Sequence, residues 1–297
     1  MSQTRLRLVS WNVHGVPSAP RIAERLSAIA RAIAARKPDL VLLQEVWRRR
    51  DAAALEKRLR RDGYTVVGIP TGGIVMRTSG LLAFLRTAAG WRAEAEHFHE
   101  FEAEASDWKL WEGDGFGDKG VQSFTLARDG FALQVLNTHL QADYTPGGYA
   151  EVRRSQLAEL RVLAEARLTR PLLLAGDLNT TPDEPAFEQL HGFLDLGARL
   201  RESCGCGTSV EPDAAPRWID HLLARVPDGW RIEAEVSLLR SQRKDVPYSD
   251  HQGLDAALRL TPPTGRAALA LLATAKLAGP TTRREFLASA ALLALGG

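Results

Sequence analysis

Apolar residues along the chain recur with two periods, and the pattern predicts strands interleaved with helices. Residues 5 to 14 alternate between apolar and polar positions, which is typical of a strand with one covered face. The segment from Pro20 to Arg36 instead repeats apolar residues every three to four positions, which predicts an amphipathic helix. LVLLQEV, at 40 to 46, is almost wholly apolar and indicates a strand covered on both faces.

The same reasoning extends over most of the chain. Two further helices are predicted over 51–61 and 150–167. Further strands are predicted near 64–70, 80–87, 120–128, 131–140, 171–179, 217–224, 231–240 and 253–260. The dipeptide Asp129-Gly130 between two of these strands predicts a tight hairpin. Many strands with few long helices predict an α/β protein in which two packed sheets are flanked by helices.

A Pro-Pro-Thr-Gly cluster at 262–265 is the one predicted domain boundary, which gives a domain over 1–261 and an Ala-Leu-rich tail over 262–297. The apolar runs of the tail are well short of the roughly 20 residues that span a bilayer. Three placements stay open: on a membrane surface, as a short hairpin, or against the flank of the domain. Arg283-Arg284 looks like a twin-arginine export signal, but its position favours chance or a gene-boundary artefact.

Composition narrows the class of protein. Among 297 residues, 38 basic and 36 acidic side chains leave a net charge of +2, which argues against a dedicated nucleic-acid-binding protein. The two cysteines, Cys204 and Cys206, are too few for a four-ligand zinc site and are expected to be free thiols on a loop. The first residues contain no apolar signal region, so we expect no N-terminal secretory signal and a location in the cytoplasm or on the inner membrane face.

Polar side chains recur where the predicted strands end, which is where open sheets place their ligand sites. They are Asn12, Glu45, His139, Asp177, Asn179, Asp250 and His251. We expect these side chains to converge on one site, because a polar group buried at a strand end costs free energy unless it gains a partner there. Carboxylates and amides without a cysteine cluster suit a hard cation, with Mg²⁺ first.

A hard cation beside two histidines favours hydrolysis of a phosphate ester. One imidazole would act as general base on water, while other groups stabilise charge on the phosphoryl oxygens. Nothing in this set of side chains suggests a covalent nucleophile.

Six motifs carry a resemblance to a known family: SWNVHG, LLQEVW, NTHLQADY, GDLNTTPDEP, WIDHLL and SDHQGL. In this order they resemble the endonuclease/exonuclease/phosphatase superfamily over roughly residues 5 to 260. The resemblance implies a four-layer α-β-β-α sandwich and a Mg²⁺-dependent phosphoesterase, with Mn²⁺ or Co²⁺ as substitutes.

The resemblance also implies roles for individual residues. Glu45 is similar to the principal metal ligand, Asn12 supports the metal or phosphate, and Asp250 approaches a second metal position. His251 resembles the general base, and Asp220 the carboxylate that orients it. Asp177 and Asn179 resemble the pair that positions water and steadies the phosphoryl oxygens, and His139 the second catalytic imidazole. The remaining histidines are expected to be structural or on the surface: His14, His97, His99, His191 and His221.

The segment WEGDGFGDKGV at 111–121 bears on the substrate. A P-loop is excluded because Lys119 is followed by Gly120 rather than by a hydroxyl residue. Asp114 and Lys119 resemble the pair that neutral sphingomyelinases are thought to use as a switch near the lipid entrance. The resemblance thus implies hydrolysis of sphingomyelin, or of a related choline phospholipid, to ceramide and phosphocholine. A glycine turn with solvated charges is the simpler alternative.

Other features leave the substrate choice open. Four aromatic residues precede or enter this segment and either seat a lipid or pack as strand residues: Phe98, Phe101, Trp108 and Trp111. An arginine-rich helix around 48–61 is typical of a solvated face, and it also suits lipid headgroups or the backbone of DNA or RNA. A nuclease of the same superfamily is therefore the alternative function. We expect a lipid substrate at a membrane surface and no protein partner; the oligomeric state stays open.

Overall fold

The computed structural model describes residues 3–68, 79–103, 119–143, 148–166, 169–210, 215–240 and 248–263. Predictions about Asp114, Trp108, Trp111 and the tail after residue 263 lie outside these ranges. No helix among the described residues is both long and apolar enough to cross a bilayer.

The described residues form two six-stranded mixed sheets. The strands are β1 (Thr4–Asn12), β2 (Leu40–Gln44), β3 (Tyr64–Val67), β4 (Leu82–Arg86), β5 (Arg92–Glu100), β6 (Gly120–Arg128), β7 (Phe131–His139), β8 (Leu172–Asp177), β9 (Leu194–Asp195), β10 (Asp220–Arg225), β11 (Arg231–Leu239) and β12 (Gly253–Thr261). The first sheet has the order β11-β12-β1-β2-β4-β3 and the second β5-β6-β7-β8-β10-β9.

Helices cover the outer face of each sheet. They are α1 (Ile22–Arg36), α2 (Arg49–Arg61) and α3 (Ala150–Glu165), whereas Leu200 of the short α4 (Ala198–Cys204) packs against the apolar layer between the sheets. Apolar residues of α1 and α2, such as Ile29 and Leu55, pack on the first sheet, and Leu157 and Leu160 of α3 pack on the second. A third apolar layer fills the space between the sheets. The predicted α-β-β-α sandwich is confirmed.

Burial follows the sequence pattern closely. All five residues of β2 are buried, because β2 pairs with β1 and β4 and has apolar layers on both faces. The predicted hairpin is confirmed as well: Arg128 pairs with Phe131, and Asp129 and Gly130 between them both have positive φ.

One prediction differs from the structure. Cys204 and Cys206 are not free thiols; they form a disulfide whose Cα atoms are 5.1 Å apart, within the usual span of about 4.4–6.8 Å. The turn that ends α4 brings these near neighbours together. For two of the four aromatic residues the structure matches the second of the two alternatives, packing in the fold: Phe98 lies in strand β5, and Phe101, directly after it, is buried in the core against α3.

Candidate active site

The predicted site residues come from both sheets and meet at one edge. Asn12 ends β1, Glu45 follows β2, His139 ends β7 and Asp177 ends β8. β1 and β2 run parallel, as do β7 and β8, so within each sheet these strand ends lie side by side. The polar strand ends seen in the sequence are therefore brought together as expected.

Asn12 links the two sheets at this edge. Its fully buried side-chain amide donates to Glu45 Oε1 at 3.0 Å and to Asp177 Oδ2 at 2.9 Å, while its Oδ1 accepts the backbone N–H of His14. One amide thus holds a carboxylate from each sheet. Asn12 thus orients the carboxylates of Glu45 and Asp177, which are candidates for binding a metal ion. A direct contact of Asn12 with the metal or the phosphate stays a prediction.

The Glu45 carboxylate has the character of a cation ligand. Its Oε2 atom is buried and has no hydrogen-bond partner among the described residues. Burial, followed by the charge of Asp250, raises the pKa of Glu45 to about 7. A buried acceptor without a donor is costly, and a divalent cation removes both the missing contact and the unfavourable charge. The donor set therefore fits a hard cation held by Glu45.

His251 and Asp220 form a close pair opposite Asp177. His251 Nδ1 lies 2.7 Å from Asp220 Oδ2, and its Nε2 lies 3.7 Å from Asp177 Oδ2. Burial lowers the pKa of His251, but the carboxylates of Asp220 and Asp177 raise it more, so that the net value is well above the ordinary one. This geometry fixes the ring and leaves Nε2 facing the site.

The segment before β10 anchors the same pair. Thr208 Oγ1 accepts the backbone N–H groups of Ile219 and Asp220, and the Thr208 carbonyl accepts the N–H of Gln252. Thr208 therefore touches the neighbours of both pair members. Nothing in the sequence motifs pointed to it, because a single threonine outside a strand carries no pattern.

Three side chains offer ligand atoms within 4.8 Å of one another: Asp177, Asp220 and His251. Asp220 and His251 already satisfy each other at 2.7 Å, so a cation there would break that bond. Burial raises the pKa of Asp177 to about 6, although the charge of His251 acts to lower it. Asp177 is thus the member of this group that can share a cation with Glu45.

His139 and Lys119 form the second imidazole centre. Lys119 Nζ lies 3.3 Å from both ring nitrogens of His139 and donates to the Leu140 carbonyl at 3.2 Å. Burial, and then the charges of Lys119 and His251, lower the pKa of His139 well below its ordinary value. Lys119 is only 3% exposed, so it belongs to the site itself and not to a solvated turn.

Asp250 and Asn179 complete the predicted set. Asp250 Oδ2 lies 3.1 Å from His14 Nδ1 at a partly exposed rim, so His14, expected to be structural, is at the site edge. Asn179 donates its side-chain amide to the Leu140 carbonyl and its backbone N–H to Asp177 Oδ1. His221 is buried with Nε2 facing the Thr180 carbonyl, as a structural histidine would be.

Backbone strain concentrates at this edge. His14, Glu45 and Asn179 have φ values of 49°, 60° and 49°, a left-handed conformation that is uncommon outside glycine. Gly15 lies so close to Glu45 that an added Cβ would stand 2.0 Å from its carbonyl oxygen. The fold therefore accepts local strain to aim these side chains, which is a feature of functional sites.

Together, the four-layer sandwich and its edge of carboxylates, amides and imidazoles define a class of protein with a carboxylate–imidazole site shared between two sheets. The model of the endonuclease/exonuclease/phosphatase family matches residues 9–251. The chain belongs to this family.

Known proteins add further similarity. Human sphingomyelin phosphodiesterase 2 is 26% identical over 286 residues, which cover 87% of this chain and 66% of the human protein. The inositol phosphosphingolipids phospholipase C of Schizosaccharomyces pombe is 27% identical over 60% of this chain and 42% of its own length. The chain thus spans less than two thirds of these relatives. A crystal structure of humanized D. rerio TDP2 superposes with a TM-score of 0.70 at 17% identity, covering 86% of this chain and 98% of that one, which supports the fold.

Proposed function

We propose that this protein is a Mg²⁺-dependent phosphodiesterase that hydrolyses sphingomyelin, or a related choline phospholipid, to ceramide and phosphocholine. One arrangement carries the proposal: the His251–Asp220 pair faces Asp177, and on the other side of the site Glu45 has an oxygen with no hydrogen-bond partner among the described residues. An imidazole base and a carboxylate for a cation are the two parts that hydrolysis by water needs.

The residues divide the work between the two sides of the site. Glu45, with Asp177 and with Asp250 at the rim, would hold Mg²⁺, which when bound polarises the phosphoryl group and neutralises its charge. His251 takes the proton of the attacking water at Nε2 while Asp220 stabilises the resulting imidazolium. Neutral His139 donates a hydrogen bond to a phosphoryl oxygen or to the leaving oxygen, and Asn179 steadies the same group.

The lipid substrate is supported by the names of the relatives. The human protein is named for sphingomyelin and the S. pombe protein for inositol phosphosphingolipids, and both names describe sphingolipid phosphodiesters. The contact between Lys119 and His139 also supports a lipid substrate, because the lysine of the predicted switch then lies beside a side chain that we propose to be catalytic. Its pairing with Asp114 remains a prediction. A sphingolipid substrate implies work at a membrane surface.

A nuclease remains the second candidate function, and two observations favour it. One D. rerio TDP2 structure with the same fold is described as complexed with a single-strand DNA product. Arg50 and Arg60 of the basic helix α2 are 74% and 72% exposed and suit a phosphate backbone.

The deciding experiment incubates the purified full chain and Mg²⁺ with sphingomyelin vesicles, and in parallel with plasmid and abasic DNA. Release of phosphocholine without DNA cleavage supports the proposal. Cleavage of DNA without phosphocholine would reverse the order of the two functions. Parallel reactions with EDTA, Mn²⁺ and Co²⁺ test the cation, and full activity in EDTA would remove the metal from the mechanism.

Lys119→Met is expected to lower kcat/KM for sphingomyelin by about 10- to 100-fold while the Mg²⁺ dissociation constant changes little. The ammonium group contacts His139, whereas its charge is the smallest of the influences on the Glu45 carboxyl, and its loss raises the pKa of the His139 imidazole. The measurements are phosphocholine release and Mg²⁺ titration calorimetry. Lys37→Met, at the exposed C-terminal end of α1, is the matched control. Unchanged lipid kinetics in Lys119→Met would reduce Lys119 to a packing residue.

A further inference from the structure

A chain of three buried amide side chains crosses the space between the two sheets. Gln44 of β2 donates to Asn137 Oδ1 of β7 at 2.8 Å, and Asn137 donates to Gln122 Oε1 of β6 at 3.0 Å. Gln122 in turn donates to the Val67 carbonyl of β3 at 2.9 Å, which returns the chain to the first sheet. Gln44 and Asn137 are fully buried, and Gln122 is 5% exposed.

The amide chain lies directly beneath the candidate site. Gln44 immediately precedes Glu45, and Asn137 stands two residues before His139 on the same face of β7. At the site itself, the bond from Asn12 Nδ2 to Asp177 Oδ2 also joins the first sheet to the second. The two links lie on neighbouring strands: Asn12 of β1 pairs with Gln44 of β2, and Asp177 of β8 lies two residues beyond the partner of Asn137 in β7.

Polar groups in this space need a physical reason. The surrounding layer is apolar and contains residues such as Leu42, Phe124 and Val135. Apolar contacts are non-directional, so they hold the sheets together without fixing one lateral position. Buried amides carry a desolvation cost and stabilise only the arrangement in which their hydrogen bonds are made. They therefore penalise any displacement of one sheet relative to the other.

We propose that the Gln44–Asn137–Gln122 chain sets the spacing between the two halves of the active site. The first sheet supplies Asn12 and Glu45, and the second supplies His139 and Asp177. Gln44 and Asn137 are positioning residues: they hold these halves at the separation that the Asn12–Asp177 bond marks. The inference rests on the proposed function for its catalytic meaning, and its geometric part stands apart from any substrate.

The geometric test compares crystal structures of the metal-free wild type, Asn137→Leu and a matched control. The control is Gln134→Met, because Gln134 accepts a hydrogen bond from Thr125 and joins the same two strands, β6 and β7, at another cross-strand pair. In Asn137→Leu we expect the distance from Asn12 Nδ2 to Asp177 Oδ2 to lengthen beyond about 3.5 Å, outside hydrogen-bond range. In Gln134→Met we expect it to stay near 2.9 Å.

The proposal is wrong if the distance from Asn12 Nδ2 to Asp177 Oδ2 is unchanged in Asn137→Leu. It is also wrong if this distance changes equally in Gln134→Met. If Asn137→Leu yields no folded protein, Gln44→Met decides by the same distance, since it removes the donor and keeps the side-chain length.

The functional test uses the chromogenic diester bis(4-nitrophenyl) phosphate with Mg²⁺. A displacement of reacting groups by about 1 Å costs on the order of 10²-fold in rate. We therefore expect kcat of Asn137→Leu to fall about 100-fold with KM changed by less than about threefold, and both to stay near wild type in Gln134→Met. Equal loss in both variants would mean that the amides only stabilise the fold. A wild type inactive on every diester would overturn the proposed function, and the distances would still decide the positioning role.

Discussion

We expect His251→Ala to lower kcat for sphingomyelin hydrolysis by about 10²–10⁴-fold and to leave the fold intact. Positioned general bases contribute rate factors of this size, and His251 Nε2 faces the site at 3.7 Å from Asp177. The measurement is initial rate of phosphocholine release at saturating Mg²⁺, with circular dichroism to confirm folding. His191→Ala is the control, since that exposed ring lies against the Glu188 carbonyl of its own turn.

The pH dependence of this reaction has a defined sign. His251 must lose its proton to act as a base, and Asp220 helps to hold its pKa well above the ordinary value. The rate is therefore expected to rise with pH through that raised pKa. Asp220→Asn removes one of the negative charges, so the rising limb moves to lower pH while the plateau falls. A wild-type rate in His251→Ala, or a limb that stays in place in Asp220→Asn, would remove His251 from the role of base.

Glu45→Gln abolishes Mg²⁺-dependent turnover and at the same time stabilises the metal-free protein at pH 8. The glutamine keeps an oxygen for the Asn12 amide, but it carries no charge and offers a weaker ligand to a cation. We expect the Mg²⁺ dissociation constant to rise at least about 10-fold, because lost support at a metal site has effects of this size.

The stability effect follows from proton linkage. The Glu45 carboxyl has an ordinary pKa of 4.5 and a folded pKa of about 7. As pH rises from about 4.5, the unfolded chain ionises first, so the folded state loses stability until about pH 7 and stays lower above it. At about 1.36 kcal/mol per pKa unit, this shift corresponds to a loss of stability on the order of 3 kcal/mol. Glutamine does not ionise and avoids this loss.

Urea unfolding in EDTA at pH 4 and pH 8 measures the effect. The variant should match the wild type at pH 4 and exceed it at pH 8. Glu188→Gln, on an exposed turn, serves as the control. A variant that is less stable than the wild type at pH 8 would show that the Glu45 carboxylate does not strain the metal-free site.

The sequence was sufficient for the features that depend on pattern. The almost wholly apolar run at 40–46 predicted strand β2, all of whose residues are buried. The dipeptide Asp129-Gly130 predicted the β6–β7 hairpin. The edge strand β5 was missed because its buried and exposed residues do not alternate regularly, and a register shift between Glu94 and His97 breaks the period. The short α4 was missed because seven residues carry too little periodicity.

The site was predicted where side chains stand at strand ends and resemble family motifs, as Glu45 and His251 do. The Gln44–Asn137 contact was not, because two amides 93 positions apart inside apolar strands carry no signal of contact. Lys119 illustrates a different limit. Its glycine-rich surroundings in the sequence suggested a solvated charge as one alternative, and only the tertiary fold places its ammonium group against His139.

The order of strands has a consequence for synthesis of the protein. The second sheet is contiguous in the chain, from β5 to β10, whereas the first sheet is closed by β12, which pairs with both β1 and β11. On a ribosome the second sheet can fold first, while β1, which can pair early with β2, waits for its other neighbour β12 some 250 residues away in sequence, from Thr4 to Leu260. His251 immediately precedes β12. The nascent chain therefore acquires its proposed general base in the same step that closes the first sheet, so the proposed hydrolysis would begin only once both sheets are formed.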